Sequence, residues 1–308
     1  MFRSSRRNKD RRPILHIMCQ NGNTSVVKDM VKYAANINER CDSGFTPLHY
    51  AAGNGHLDIV KILLEHSADI DLLDDYINNG TKLDITALHR SICSGHKEVA
   101  SFLTERGANI NQRDGYWCAA LDLAILHNHG DIAETLLQNG ADINAASEYG
   151  KNTALHFATA TNKIKMVNLL IERGANVNFG NTDLQSPLHF SAEIGHIDIT
   201  QILINNGADV NAADQNGNAA LHLAIETNDI KMVNLLIKHG ANVNVGDIDL
   251  QTPLHLSAKL GHTEITHILI HNGADVNAKR VNGSNPLDDA LVGGQDGKSH
   301  EEIIEMLV

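Results

Sequence analysis

Apolar and polar positions between Thr46 and Asp71 fall into two short helical stripes. Leu48, Ala51 and Ala52 form the first, at helical spacing. Gly55-His56 then turns the chain, and Ile59, Val60, Leu63 and Leu64 form the second stripe. Thr46 suits an N-cap, and Pro47 fits the first helical position, where its missing N–H costs no bond. Ser67-Ala68-Asp69-Ile70-Asp71 closes the segment; most other copies read Gly-Ala-Asp/Asn-Val/Ile-Asn. Gly107, Gly140, Gly174, Gly207, Gly240 and Gly273 take the stop position, as a left-handed helix end prefers. Ser67 and Ala34 replace that glycine, at an expected loss of up to about 1 kcal/mol each.

This text repeats. Cognates of Thr46-Pro47-Leu48-His49 begin at Pro13, Thr86, Ala119, Thr153, Ser186, Ala219, Thr252 and Asn285, in steps of 33, 40, 33, 34, 33, 33, 33 and 33. Such a period predicts a solenoid whose units bury apolar faces only against neighbours. Residues 13–308 therefore read as a single array of nine units, with residues 1–12 as a basic, disordered tail. Residues 152–217 and 218–283 are alike at a 66-residue offset, as Ile164–Leu170 against Ile230–Leu236 shows.

Thr46-Pro47-Leu48-His49-x-Ala51-Ala52, Gly55-His56 and the Gly-Ala-Asp-Val-Asn turn closely resemble the ankyrin-repeat consensus, and the resemblance covers about residues 13–308. It implies an all-α fold, an ankyrin-repeat solenoid of stacked helix pairs joined by β-hairpin loops. It also implies a non-catalytic module that binds a partner protein on the hairpin and first-helix concave face. His16, His49, His89, His156, His189, His222 and His255 sit in the anchor, where the family uses them for hydrogen bonds within and between units.

Departures from the repeat mark where recognition is expected. The 40-residue step adds seven residues within Leu72–Gly80, and insertions in repeats map to loops on one face. Trp117 stands where other hairpins carry Gly44, Gly217 and Gly283. Phe45, Tyr76, Tyr116, Trp117 and Tyr149 fall at or near hairpins of the first half and form either one aromatic strip or local covers. Exposed Trp and Tyr are the commonest interface hot spots. The candidate protein-binding residues are Asp42, Ser43, Phe45, Tyr76, Tyr116, Trp117, Leu126, His127 and Tyr149.

Composition narrows the functional classes. Net charge is −12, which disfavours nucleic acid, since that affinity rests on Lys and Arg neutralising phosphates. Arg3, Arg6, Arg7, Lys9, Arg11 and Arg12 against Asp10 make residues 1–12 basic, +5 in all. That run reads as a solvated tail, with nuclear import as the alternative use. Met1 is followed by no apolar signal core, and no membrane span is expected. Cys19, Cys41, Cys93 and Cys118 are scattered, as in a reduced cytoplasmic protein.

Other motifs point to no chemistry. His267 and His271 share a helix face, but a zinc site needs three or four ligands. Gly293–Ser299 resembles a phosphate loop, yet Val292 stands where that motif needs glycine; the repeat register makes it an enlarged inter-helix loop. No catalytic or cofactor motif appears, so the expectation is a monomer without enzyme activity or cofactor. Met306-Leu307-Val308 falls inside a second helix, so that half-unit is either the cap or is followed by more repeats or another domain, the apolar last residue favouring the second. Alternatives are the repeat portion of a secreted or host-directed effector or toxin, the recognition subunit of a ubiquitin ligase, or a spacer.

Overall fold

The computed structural model describes residues 12–33, 35–78, 81–147, 150–293 and 298–308. The basic run before Arg12, Ala34, Tyr149 and the loop at 294–297 lie outside them. The chain forms two compact units, Met1–Ser147 and Glu148–Val308.

In the first unit the helices come in pairs: α1 (Ile14–Gln20) with α2 (Thr24–Lys32), α3 (Pro47–Gly53) with α4 (Leu57–Glu65), α5 (Ala87–Cys93) with α6 (Lys97–Glu105), and α7 (Ala120–Leu126) with α8 (Gly130–Gln138). First helices pack in one row, α1 on α3 on α5 on α7, and second helices in another, α2 on α4 on α6 on α8. The second unit repeats the plan. Its first helices are α9 (Ala154–Ala160), α11 (Pro187–Ile194), α13 (Ala220–Glu226), α15 (Pro253–Leu260) and α17 (Pro286–Gly293). Its second helices are α10 (Ile164–Glu172), α12 (Ile197–Asn205), α14 (Ile230–Lys238), α16 (Thr263–His271) and α18 (Lys298–Leu307). The last is ten residues long against nine in its counterparts.

Helices of seven to ten residues are too short to persist alone in water. Packing holds them. Ala51, Ala52, Ile59, Val60 and Leu63 are wholly buried, and their cognates Ala192, Ile199 and Leu203 are too. The small alanines let neighbouring pairs approach closely. At the first helix's start Thr46 caps His49 N–H while the Thr46 N–H donates to the His49 ring, a reciprocal capping box.

Backbone conformation recurs as strictly as the helices. Two residues before each anchor from Thr46 onward the chain turns left-handed, at Gly44, Asp84, Trp117, Lys151, Leu184, Gly217, Leu250 and Gly283, with φ between +45° and +86°. The stop after the second helix does the same, and there Ser67 holds φ +67° where six other copies use glycine. A Cβ at Gly107 or Gly207 would touch nothing, so space is not the issue and Ser67 carries only conformational strain. Ser67→Gly is expected to raise unfolding stability by about 0.5–1 kcal/mol, measured as a higher urea midpoint at unchanged slope.

The seven extra residues lie inside a hairpin. In a normal copy the Asp114 carboxylate accepts from the N–H groups of Tyr116 and Cys118, closing the turn within four residues. Asp74 does the same job for Ile85 across eleven residues. The intervening chain forms β1 (Ile77–Asn78) and β2 (Thr81–Lys82), paired antiparallel with Ile77 opposite Lys82.

Candidate functional site

Two polar ladders fix where the hairpins stand. The Nδ1 of His49 accepts from the Thr46 N–H, so its proton sits on Nε2, which donates to the Ile85 carbonyl 2.8 Å away in the next hairpin. The same rung joins His89 to Gln112 at 3.0 Å, and in the second unit His156 to Gln185, His189 to Asn218, His222 to Gln251 and His255 to Ser284. Burial holds these imidazoles neutral, with His49, His89 and His156 lowered to about 4. His16 has lost half its role: Pro13 has no N–H, and the buried His16 Nδ1 has no hydrogen-bond partner. At two anchors Asp122 and Asp288 replace the imidazole and accept from Ala119 and Asn285. A carboxylate there keeps the cap and gives up the outgoing donor. Burial pushes Asp122 up to about 6.

The second ladder is made by asparagine and was not read from the sequence. Asn178 Oδ1 accepts from the Asp209 N–H and its Nδ2 donates to the Gly207 carbonyl; Asn211 and Asn244 repeat both bonds one unit on. The recurring last Asn of the Gly-Ala-Asp-Val-Asn turn was the available signal. Its partner lies 31 residues away, too far for a local reading to connect.

On this frame the hairpins touch edge to edge. Gly115 N–H donates to Leu83 O at 2.6 Å, and in the second unit Gln215 donates to Asp183, Ile248 to Asn216 and Val281 to Asp249. In the first unit a cleft of about 510 Å³ opens beside the lengthened hairpin. Its walls include Leu73, Lys82, Asp84, Arg113 and Trp117. Lys82 bridges Asp84 at 2.9 Å and Asp75 at 3.5 Å, while Arg113 donates to the carbonyls of Trp117 and Ala146. These charges are already engaged with one another and with the backbone, and the indole and Leu73 supply the cleft's apolar surface.

The candidate residues divide. Tyr116 is 56% exposed and Trp117 36%, on one hairpin at the cleft. Asp42 is exposed and Ser43 half-buried on the hairpin before α3. Leu126 and His127 are exposed at the end of α7, the His127 ring stacked on His129. Phe45 is different, and its placement as a surface contact is corrected: it is 8% exposed. Tyr76 from the lengthened hairpin stacks on it at 5.8 Å, Tyr50 meets it edge-on, and the Arg90 guanidinium lies 4.3 Å over its face. Phe45 and Tyr76 are thus a local cover, joined by stacking. Tyr149 lies outside the described residues.

Sequence reasoning missed a row of exposed apolar side chains on hairpins of the second unit, Leu184, Ile248, Leu250 and Val281. The signal was present at Leu184 and Leu250, which stand where Gly217 and Gly283 stand in alternate copies. Among the described residues no group of three His, Cys, Asp or Glu side chains is placed to hold a metal ion. No described helix is long and apolar enough to cross a membrane.

The sequence matches the family described as Ankyrin repeats (3 copies) over residues 3–74, 71–147, 120–181 and 155–247, and that described as Ankyrin repeats (many copies) over 236–290. Among curated proteins it is 43% identical over 61 residues to human protein phosphatase 1 regulatory subunit 27, covering 20% of this chain and 40% of that protein. It is 45% identical over 47 residues to the bovine ankyrin repeat domain-containing protein 49, 15% of this chain and 20% of the relative. A third match, to alpha-latrocrustotoxin-Lt1a of Latrodectus tredecimguttatus, is 41% over 59 residues, 19% of this chain and 4% of the toxin. The chain thus spans well under half the length of these relatives. With helix-pair rows in both units and sequence matches running from residue 3 to residue 290, the chain belongs to the ankyrin-repeat family.

Proposed function

We propose that this chain is a non-catalytic module that binds a partner protein through the hairpin of Tyr116 and Trp117 and the cleft beside it. One observation carries the reading. Trp117 holds φ +64°, a conformation that strains a bulky residue and that Gly44, Gly217 and Gly283 adopt freely. Its indole stays 36% exposed at the cleft, where a partner can reach a large aromatic surface. Ankyrin-repeat membership supports protein binding as the class, and the match to a phosphatase regulatory subunit agrees with a role exerted on another protein. The toxin match is confined to 4% of that protein and speaks for the repeats alone.

The test is affinity capture followed by direct titration of the purified partner. Trp117→Ala with Tyr116→Ala is expected to weaken binding about 30-fold, the scale of a paired aromatic hot spot, at an unchanged melting temperature. Equal affinity for wild type and double variant removes this hairpin from the interface.

A further inference from the structure

The second helices follow one plan, and α16 departs from it. In each nine-residue second helix the fifth and ninth residues stand one turn apart, outside the buried stripe. At those places α10 carries Asn168 with Glu172, α12 carries Gln201 with Asn205, and α14 carries Asn234 with Lys238. On α16 both places are taken by imidazoles, His267 and His271. None of the other nine-residue second helices pairs two histidines there, so the repeat itself does not require the pair.

Both rings are exposed, with centroids 6.5 Å apart and planes within 7° of parallel. Neither belongs to the histidine rungs, and neither is engaged by a hydrogen bond or an ion pair among the described residues. Exposed side chains change rotamer freely, which can bring one nitrogen of each ring to a common point. Histidines four residues apart are the spacing by which one helix face offers a metal two nitrogens. Imidazole suits nickel, copper and zinc, whereas calcium and magnesium take oxygen ligands. A closed structural zinc site needs three or four protein ligands; two leave positions open to water. Charge is close to balanced around the pair. No Lys or Arg lies on α16, and the exposed Glu264 shares the face, three residues before His267. Lys238, at the matching place on neighbouring α14, opposes it.

We propose that His267 and His271 chelate one divalent cation of the nickel, copper and zinc class, with water completing its coordination. The proposal does not depend on the Trp117 hairpin. The helix does the organising. Once one imidazole holds the cation, the other meets it at a high effective concentration. Both nitrogens share a side only while α16 is helical, so the cation also stabilises the folded state.

The experiment titrates the untagged full chain, stripped with a chelator and desalted, with Ni²⁺ by calorimetry. Ni²⁺ should bind at this pair more tightly than at any lone histidine, and Mg²⁺ should not bind there. His267→Gln with His271→Asn gives α16 the residues that α12 carries at the same places, so the helix is retained. That double variant should lose Ni²⁺ affinity about tenfold or more, and each single variant nearly as much, because a chelate needs both nitrogens. Ni²⁺ should raise the melting temperature of wild type and leave that of the double variant level. His127→Asn breaks the stacked pair with His129 and should leave Ni²⁺ affinity unchanged. Equal affinity in wild type and double variant, or single-variant losses of only about twofold, would overturn the proposal. So would an equal melting shift in wild type and double variant, or a comparable loss in His127→Asn.

Discussion

Acidification from pH 7 to 4.5 is expected to destabilise the repeats. Unfolded histidines bind protons near 6.5, whereas buried His49, His89 and His156 do so only near 4. Between those values the unfolded chain holds more protons, so this stabilisation is complete above about 6.5 and drains away as pH falls. Each of the three contributes on the order of 3 kcal/mol by pH 4. The mechanism is local: a protonated Nδ1 would face the Thr46 N–H, donor against donor, and break the cap.

Asp74 and Asp122 act in the opposite direction. Both are raised to about 6 by burial, so the folded chain takes up their protons first and gains from acid between about 6 and 3.8. Two carboxyls can offset two of the three strongly shifted histidines. His16, His189, His222, His255 and His262 are also lowered, against which burial raises Asp114 and Glu226. The strongly shifted groups alone leave a net loss of about one histidine's share, about 3 kcal/mol, a sizeable part of the roughly 5–15 kcal/mol of a typical domain. Far-UV circular dichroism followed against pH measures it. A chain as resistant to urea at pH 4.5 as at pH 7 would show that the buried imidazoles do not govern stability.

Leu203→Ala is expected to cost about 3 kcal/mol, through lost transfer energy and the cavity left behind. Leu203 is wholly buried on α12, which packs between α10 and α14, so the void opens where both neighbours seal. Leu260, at the end of α15, is 41% exposed. Its replacement by alanine should cost about 0.5 kcal/mol or less, since exposed substitutions rarely cost more. Urea denaturation of both variants compares the same chemical change at two depths. Equal losses would mean that junction packing does not hold the array.

The helix pairs were legible because each stripe of Leu, Ile, Val and Ala recurs with its own start and stop residues. The left-handed stops at Gly107 and Gly207 followed from the same register. Phe45 was misplaced for a physical reason: Tyr76 and Arg90, which cover it, come from the lengthened hairpin and from α5, and local text cannot announce a cover supplied from elsewhere. The position of the extra residues was legible, their form less so, since Asp74 assumed the closing role that its neighbours' Asp114 and Asp214 play over four residues. Leu184 and Leu250 passed as ordinary hydrophobic letters. Only their φ angles reveal that they occupy a glycine's place while facing water.

The ladders also bear on how such a chain can change length. Within the second unit each module before the last brings its own imidazole donor and, 29 residues on, the kind of carbonyl that receives it. Each likewise brings an asparagine and the turn that the preceding asparagine grips. Copying a stretch of the genome that spans whole modules therefore replicates both halves of every seam at once. The 66-residue echo between 152–217 and 218–283 is what such copying leaves behind, a protein able to grow without inventing a new interface.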